Sequence, residues 1–400
     1  MGDTQKAAEL HEMTRTAIAY GKTQSIPLAA TTMTIPASNY FDPQRFEVEV
    51  NRIFKRVPLM LAASAELPNP GDFKTIEAVG VPVLITRGQD GMARALINAC
   101  THRGANVAIT ETGNAKRFVC PYHGWTFGQS GELIGVASAD EFGPVDKACY
   151  SMKALKTVER AGLIWVSLDQ HSGLDIDAFL SGYDKLLDRF GFKDWKFLAK
   201  RVLKGPNWKV AYDGYLDFYH IPVLHRETFG PDMLNQAIYS AWGPHQRVQF
   251  PLRDAADLEA TPEEQWSDMT LLDGVWTIFP HISIASFGGG GIGNGGRGVM
   301  ISQLLPGDKV DESYTTQIYL MERMPEGEEL QASIDQFEFL KKVVADEDYI
   351  TGFGLQRALK AGAIDKVTFG RNETGAQRFH GWVDRIIAAD DQALNRLFAE

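Results

Sequence analysis

Two short clusters of metal-ligating residues constrain what this chain can fold into more than anything else in it. Cys100-Thr-His102 is followed, seventeen residues on, by Cys120-Pro-Tyr-His123. Each Cys/His pair is expected on a short loop beyond the end of a strand, so the fold must bring two loop tips together. Four such donors fit two chemistries. A zinc ion takes two thiolates and two imidazoles tetrahedrally; a [2Fe–2S] cluster takes both thiolates on one iron and both imidazoles on the other. Gly104 and Gly124 predict tight turns beside the metal, with backbone N–H groups left to bond sulfur. Cys149 is the third cysteine of three, too few for a disulfide framework and consistent with a reducing compartment. It reads as a small buried hydrophobe.

The surroundings of these loops are strand-like. Val81–Arg87 and Ala93–Ala99 flank the turn Gln89-Asp90-Gly91, a hairpin signature, and further runs follow at Arg117–Val119 and Gly162–Leu168. Residues 1–40 read as an arm packed on the downstream domain. Asp42-Pro43 reads as an N-cap with proline in the first turn, opening a helix to about Phe54. We therefore expect an all-β metal domain over 41–169. From 170 to 400 the pattern changes. Helical periodicity at Ile176–Phe190, Tyr212–Tyr219 and Leu330–Leu359 flanks strand patterns at Phe197–Lys204, Trp276–Ser286, Val299–Leu305 and Tyr314–Glu322, which predicts an α+β domain. The glycine cluster Gly288–Gly298 formally contains G-x-G-x-x-G, but a strand pattern follows it where a nucleotide site needs a helix, so a hairpin loop is expected.

A second constellation lies in this downstream domain. Asp213, Asp217 and His220 fall at i, i+4 and i+7, one stripe of a helix otherwise rich in aromatic residues. Buried carboxylates there need a metal or an imidazolium. His220 and His225 diverge by roughly 140° on a regular helix, a difficulty that Pro222 removes by ending or kinking it. If the two imidazoles converge, one carboxylate completes a 2-His-1-carboxylate triad with open positions for O₂. Asp348 is the candidate, near the centre of the apolar stripe made by Phe337, Leu340, Val344, Leu355 and Leu359. Glu347 lies at the edge of that stripe and is the alternative. His245, His281 and His380 read as ordinary core or surface histidines.

Cys100-Thr-His-Arg-Gly104 with Cys120-Pro-Tyr-His-Gly-Trp125, followed by Asp217-x-x-His220-x₄-His225, resembles the α-subunit of Rieske non-haem iron ring-hydroxylating oxygenases. The resemblance implies a β Rieske domain beside a helix-grip α+β catalytic domain. It implies a Rieske [2Fe–2S] cluster on Cys100, His102, Cys120 and His123, and a mononuclear Fe(II) on His220, His225 and Asp348. Asp217 would bridge His220 to His123 of a neighbouring chain in a head-to-tail homotrimer, with or without a β-subunit. Where the family carries a Glu-Asn pair this chain has Tyr212-Asp213, which leaves a role for Asp213 open. Electrons would come from a reductase, directly or through a ferredoxin, and the substrate would be a small apolar, aromatic or cyclic molecule. Ring cis-dihydroxylation and monooxygenation or demethylation share these motifs. Two other classes remain from the residues alone: a Rieske electron carrier with a binding domain, which has no use for His220 and His225, and a zinc-stabilised binding protein.

Bulk properties narrow the partners. A net charge of −11 argues against nucleic acid or an anionic membrane as the main partner. No apolar run spans a bilayer and no leader peptide is recognisable, so the expected setting is cytoplasmic.

Overall fold

The structure is a computed structural model that describes residues 3–252, 255–287 and 296–399. The glycine cluster expected to form a hairpin loop falls largely at 288–295, outside the described residues. The strands on either side, Ile282–Phe287 and Gly298–Pro306, pair antiparallel with each other.

The metal-loop half is built on a seven-stranded sheet. Its spatial order is Leu59–Ala63, Leu163–Ser167, Ala154–Arg160, Ala93–Ile97, Val81–Arg87, Asp72–Ala78 and Thr112–Asn114. A three-stranded sheet of Arg117–Val119, Thr126–Gly128 and Leu133–Gly135 stands beside it. A small core of Phe73, Leu84, Leu96, Phe118, Trp125 and Phe127 joins the two sheets and includes Cys100 and Cys120. Burying this apolar surface fixes the loop bases, because a strand slipped by one residue would turn its core face to water.

The downstream half is a seven-stranded antiparallel sheet in the order Lys196–Gly205, Ser313–Met321, Gly298–Pro306, Ile282–Phe287, Gly274–Ile278, His245–Gln249 and Ile238–Trp242. The helix Trp208–Leu216 lies on one face, and a long helical stretch from Gly327 to Lys360 packs beside it. One continuous hydrophobic core reaches from Leu59–Ala63 and Ile164–Val166 of the first sheet to Ile282, Ile301 and Ile318 of the second.

Several local expectations are corrected. The helix Pro43–Glu49 starts as expected, with the Asp42 carboxylate accepting from Gln44 N at 2.8 Å and proline in the first turn. It continues through a wide π turn, Val50–Phe54. The segment was expected to belong to the β domain, yet it is tied to the downstream half. Fully buried Glu49 receives Arg45 Nε at 2.8 Å, Trp208 Nε1 at 2.9 Å and the Lys209 ammonium, and a buried carboxylate needs such cations. The first sheet strand begins only at Leu59, so the boundary drawn at 41 falls too early in packing terms. Ile176–Phe190 is not one helix: Ser181 and Gly182 take positive φ of 51° and 77° and split it into two short ones. Trp276–Ser286 is a hairpin of Gly274–Ile278 and Ile282–Phe287. Cys149, expected to be buried, is exposed on a short loop helix and donates its Sγ–H to Asp146 at 3.2 Å.

In the N-terminal arm, the helix Asp3–Thr23 buries Leu10, Met13, Ala17 and Ile18 against helices of the downstream half. Met33–Pro36 pairs with Lys366–Phe369. Among the described residues, no helix is long and apolar enough to cross a membrane.

Candidate metal centres

The two Cys/His loops are built alike. Cys100 N donates to Ala105 O at 2.8 Å and Gly104 N to Cys100 O at 2.7 Å; Cys120 N donates to Trp125 O at 2.8 Å and Gly124 N to Cys120 O at 3.0 Å. Gly104 and Gly124 hold φ of 83° and 69°, a region that favours glycine. Their own N–H groups close the turns, and the backbone N–H groups of His102 and Arg103 are left to bond the Cys100 sulfur, as the sequence suggested.

The repeated geometry sets like donors beside each other. Cys100 and Cys120 are buried and adjoin, so that burial and the neighbouring Cys120 thiol raise the Cys100 thiol above its ordinary range. The His102 and His123 rings lie 4.8 Å apart, and His102 stacks on Trp125 at 5.0 Å. His102 Nδ1 is buried with no hydrogen-bond partner among the described residues. Burial, with His123 and Arg103 nearby, pushes the His102 imidazole down, toward its neutral, ligating form. Two adjoining buried thiols and an orphaned imidazole nitrogen fit a metal group that takes sulfur on one side and nitrogen on the other.

The second site is assembled from two segments. The helix Trp208–Leu216 starts at Asn207, whose side chain accepts from Lys209 N at 2.9 Å, and it stops at Leu216. Asp217 is extended, with φ −119° and ψ 125°, so the expected single stripe through Asp213, Asp217 and His220 does not exist. His220 instead caps a new short helix, Ile221–Leu224, with Pro222 in its first turn. The proline starts this helix rather than kinking a longer one. The third donor comes from the long helical stretch, in which Lys342–Tyr349 is wound as a π helix.

The donors converge. His220 Nε2, His225 Nε2 and a carboxylate oxygen of Asp348 lie within 4.8 Å of one another. The two Nε2 atoms are 3.2 Å apart, and Asp348 Oδ1 is 3.1 Å from His225 Nε2 and 3.7 Å from His220 Nε2. Each imidazole is held from behind. His220 Nδ1 meets Asp217 Oδ2 at 3.0 Å, and His225 Nδ1 meets Glu347 Oε2 at 2.6 Å. With Nδ1–H donated to a carboxylate, each Nε2 presents a lone pair. Two lone pairs and a carboxylate oxygen this close repel unless a cation lies between them, and the set is the 2-His-1-carboxylate donor pattern of a mononuclear iron. Burial opposes a charge on His225, but Asp348 and Glu347 outweigh it and raise the imidazole above its ordinary range.

Asp213 is not part of this set. Its carboxylate accepts from the Tyr40 hydroxyl at 2.6 Å and pairs with His380 Nε2 at 2.9 Å. His245, His281 and His380 are all core residues. Neither Tyr40 nor Thr228, whose hydroxyl donates to Glu347, was readable from residue type or spacing, because both contacts depend on distant segments. An open cavity of about 260 Å³ beside the donors is lined by Asp213, Asp217, His220, Asp348 and Glu373.

On the sheet beneath lies a polar row. Cross-strand partners Arg201, Gln317, Ser302, Ser283, Thr277 and Gln246 stand at one register, hence on one face. Five of the six are buried to 2% exposure or less and Arg201 is mostly covered. The Ser283 and Ser302 hydroxyls and both amide atoms of Gln317 have no hydrogen-bond partner among the described residues. The Tyr215 hydroxyl faces Ser302 and Tyr349, and Asp348 is near enough to raise it further beyond the effect of burial. Ser302 of the row and Asp348 thus neighbour the same tyrosine.

Comparison with known proteins finds a family for each half of the chain. The Rieske [2Fe-2S] domain family matches residues 57–156, and the ring hydroxylating alpha subunit (catalytic domain) family matches residues 192–389. The carnitine monooxygenase oxygenase subunit of Acinetobacter baumannii is 35% identical over 195 residues, 48% of this chain and 52% of that protein. The anthranilate 1,2-dioxygenase large subunit of Acinetobacter baylyi is 27% identical over 271 residues, 62% of this chain and 57% of that one. The chain thus spans about half the length of the curated relatives it matches. In fold it is similar to the quaternary ammonium Rieske monooxygenase CntA, with a TM-score of 0.74, 24% identity, and coverage of 88% of this chain and 95% of that one. These matches imply a Rieske [2Fe–2S] cluster and a mononuclear iron, for which the two donor sets are suited. The chain belongs to the Rieske-type ring-hydroxylating oxygenases, among their catalytic α-subunits.

Proposed function

We propose that this chain is the terminal oxygenase of a Rieske system and inserts one atom of O₂ into a small organic molecule. His220, His225 and Asp348 would hold the mononuclear Fe(II); Cys100, Cys120, His102 and His123 would hold the cluster. The observation that carries this reading is the convergence of two imidazole nitrogens and a carboxylate oxygen within 4.8 Å. When bound, the two groups supply electron storage and dioxygen activation. The reaction balances as substrate C–H plus O₂, two electrons and two protons, giving C–OH and water. The electrons come from a separate reductase, directly or through a ferredoxin.

The chain's own residues supply positioning. Asp217 and Glu347 hold the Nδ1 protons of His220 and His225, which keeps each Nε2 free and aimed. Asp217 also lines the open cavity, where His123 of a second chain would reach it in a head-to-tail homotrimer. A β-subunit is not required by this scheme. Asp213 acts as a brace between Tyr40 and His380, not as a proton donor to substrate.

The sequence suggested an apolar, aromatic or cyclic substrate. The buried polar row supports a different reading, since unpaired hydroxyl and amide groups favour a molecule that hydrogen-bonds. Monooxygenation is supported over cis-dihydroxylation by the identity to carnitine monooxygenase. Substrate-dependent O₂ uptake with a surrogate reductase tests both points. Polar candidates are expected to draw O₂ with one hydroxylated or demethylated product per O₂. Uptake coupled only to hydrocarbons, or a diol product, rejects this substrate reading. A preparation with no acid-labile sulfide removes the oxygenase reading altogether.

A further inference from the structure

We propose that Glu347, clamped by Thr228, is a positioning residue that fixes the His225 ring for metal binding, and that it is not itself a ligand. This rests on the iron site proposed above. The two adjacent residues Glu347 and Asp348 address opposite nitrogens of a single imidazole. Glu347 Oε2 lies 2.6 Å from His225 Nδ1, and Asp348 Oδ1 lies 3.1 Å from His225 Nε2. Successive side chains on a regular α helix diverge by about 100°. The wider π winding of Lys342–Tyr349 accompanies an arrangement in which both reach one ring, and π turns recur at functional sites.

The second Glu347 oxygen is also committed. It accepts the Thr228 hydroxyl, which sits one turn past His225 on the segment Arg226–Phe229. With one oxygen on the imidazole and the other on threonine, no Glu347 oxygen faces the donor triangle, and Glu347 is absent from the convergent set. The clamp ties the long helix to the segment carrying His225 before any metal arrives. His225 is also the buried member of the pair, with a side chain 3% exposed against 21% for His220. Its backing carboxylate therefore anchors the site from the interior, whereas Asp217, behind His220, lies on the open cavity wall.

Fe(II) affinity of the cluster-loaded protein, measured by anaerobic competition with a chromophoric chelator, tests this directly. Loss of a residue that orients a metal-bound histidine lowers affinity by about 10- to 100-fold, so Glu347→Ala is expected to fall in that range. Glu347→Gln keeps an oxygen acceptor for Nδ1–H and is expected to return affinity close to wild type. Thr228→Val, a smaller change, is expected to give a partial loss and to broaden the EPR signal of the nitric oxide adduct at the iron. Affinity in Glu347→Ala equal to wild type overturns the proposal. So does a Glu347→Gln variant as weak as the alanine variant, since that would mean charge or direct ligation. Should wild-type protein itself take up no Fe(II) beyond the cluster iron, the iron-site reading fails and not the clamp alone.

Discussion

At the scale of single residues, the site's assignments separate cleanly by metal content. Asp348 offers the only carboxylate in the convergent set, so Asp348→Ala is expected to lose mononuclear iron while retaining the cluster's visible absorption. His220→Ala should likewise keep the cluster spectrum, because the Cys/His loops rest on their own small core, yet form no product. Iron analysis beside the absorption spectrum checks both. A second residue-scale consequence concerns acid. Burial pushes the His281 imidazole down to about 3 and the His245 imidazole down to about 4, and neither His281 nitrogen has a hydrogen-bond partner among the described residues. Both are therefore neutral in the folded protein near neutrality. The unfolded chain binds a proton on each below its ordinary value of about 6.5, so these groups leave stability intact above that pH and reduce it as pH falls from 6.5 toward 4. The slope is about 1.4 kcal/mol per pH unit for each group. His281→Leu should remove about half of this combined slope in urea midpoints measured between pH 6.5 and 5. An unchanged slope would mean that His281 takes up its proton without unfolding.

At the scale of elements, the ligands were legible and the shapes that aim them were not. Cys100, His102, Cys120 and His123 announce themselves because metal chemistry demands those residue types at short spacing. His220 and His225 follow for the same reason. The helix end at Leu216 was hidden, since Asp217 continues the polar and aromatic pattern while its backbone turns extended. The π winding of Lys342–Tyr349 was equally hidden, because a stripe computed at a fixed angle per residue drifts wherever the helix widens. Asp348 was still placed near the stripe's centre, but Glu347, read as its rival, became its helper through contacts with His225 and Thr228 more than a hundred positions away. One position after that turn is especially sensitive. A Cβ on Gly352 would lie 3.0 Å from Pro206 Cγ and 3.3 Å from Val210 Cγ1, so glycine is what lets this helix approach the Trp208–Leu216 segment. Gly352→Val is expected to destabilise by about 1–3 kcal/mol through overpacking. Because Asp348 sits one turn earlier on the same helix, the variant should also retain less iron than wild type at equal cluster content. Full iron occupancy in a destabilised variant would show that the turn absorbs the displacement before it reaches Asp348.

At the scale of the whole molecule, the surfaces around the two centres are unlike and complementary. Near the cluster loops, Ile109 is 75% exposed, Tyr122 60% and Val119 54%, and Arg103 is exposed between the ligands. Near the iron donors, Val223 is 80% exposed, Ile350 61% and Tyr219 55%, around a cavity carrying Asp213, Asp217 and Glu373. Apolar side chains grouped at both places are suited to being covered, and a basic tip meeting an acidic mouth favours one orientation. A head-to-tail contact between different patches closes into a ring when the rotation allows, which is the geometry of the proposed trimer. If electrons cross that contact, the cluster of one chain serves the iron of the next, and two inactive variants should rescue each other. Cys100→Ser removes the cluster but leaves the iron donors, and His220→Ala does the reverse. Each alone is expected to be inactive. Co-expressed with different affinity tags and purified through both, the mixed oligomer contains contacts where an intact cluster faces an intact iron site. A trimer carrying both tags holds two chains of one variant and one of the other, so about one of every three contacts is productive and activity near a third of wild type per chain is expected. Transfer within a single chain would leave every mixed oligomer inactive, because no single chain then carries both centres.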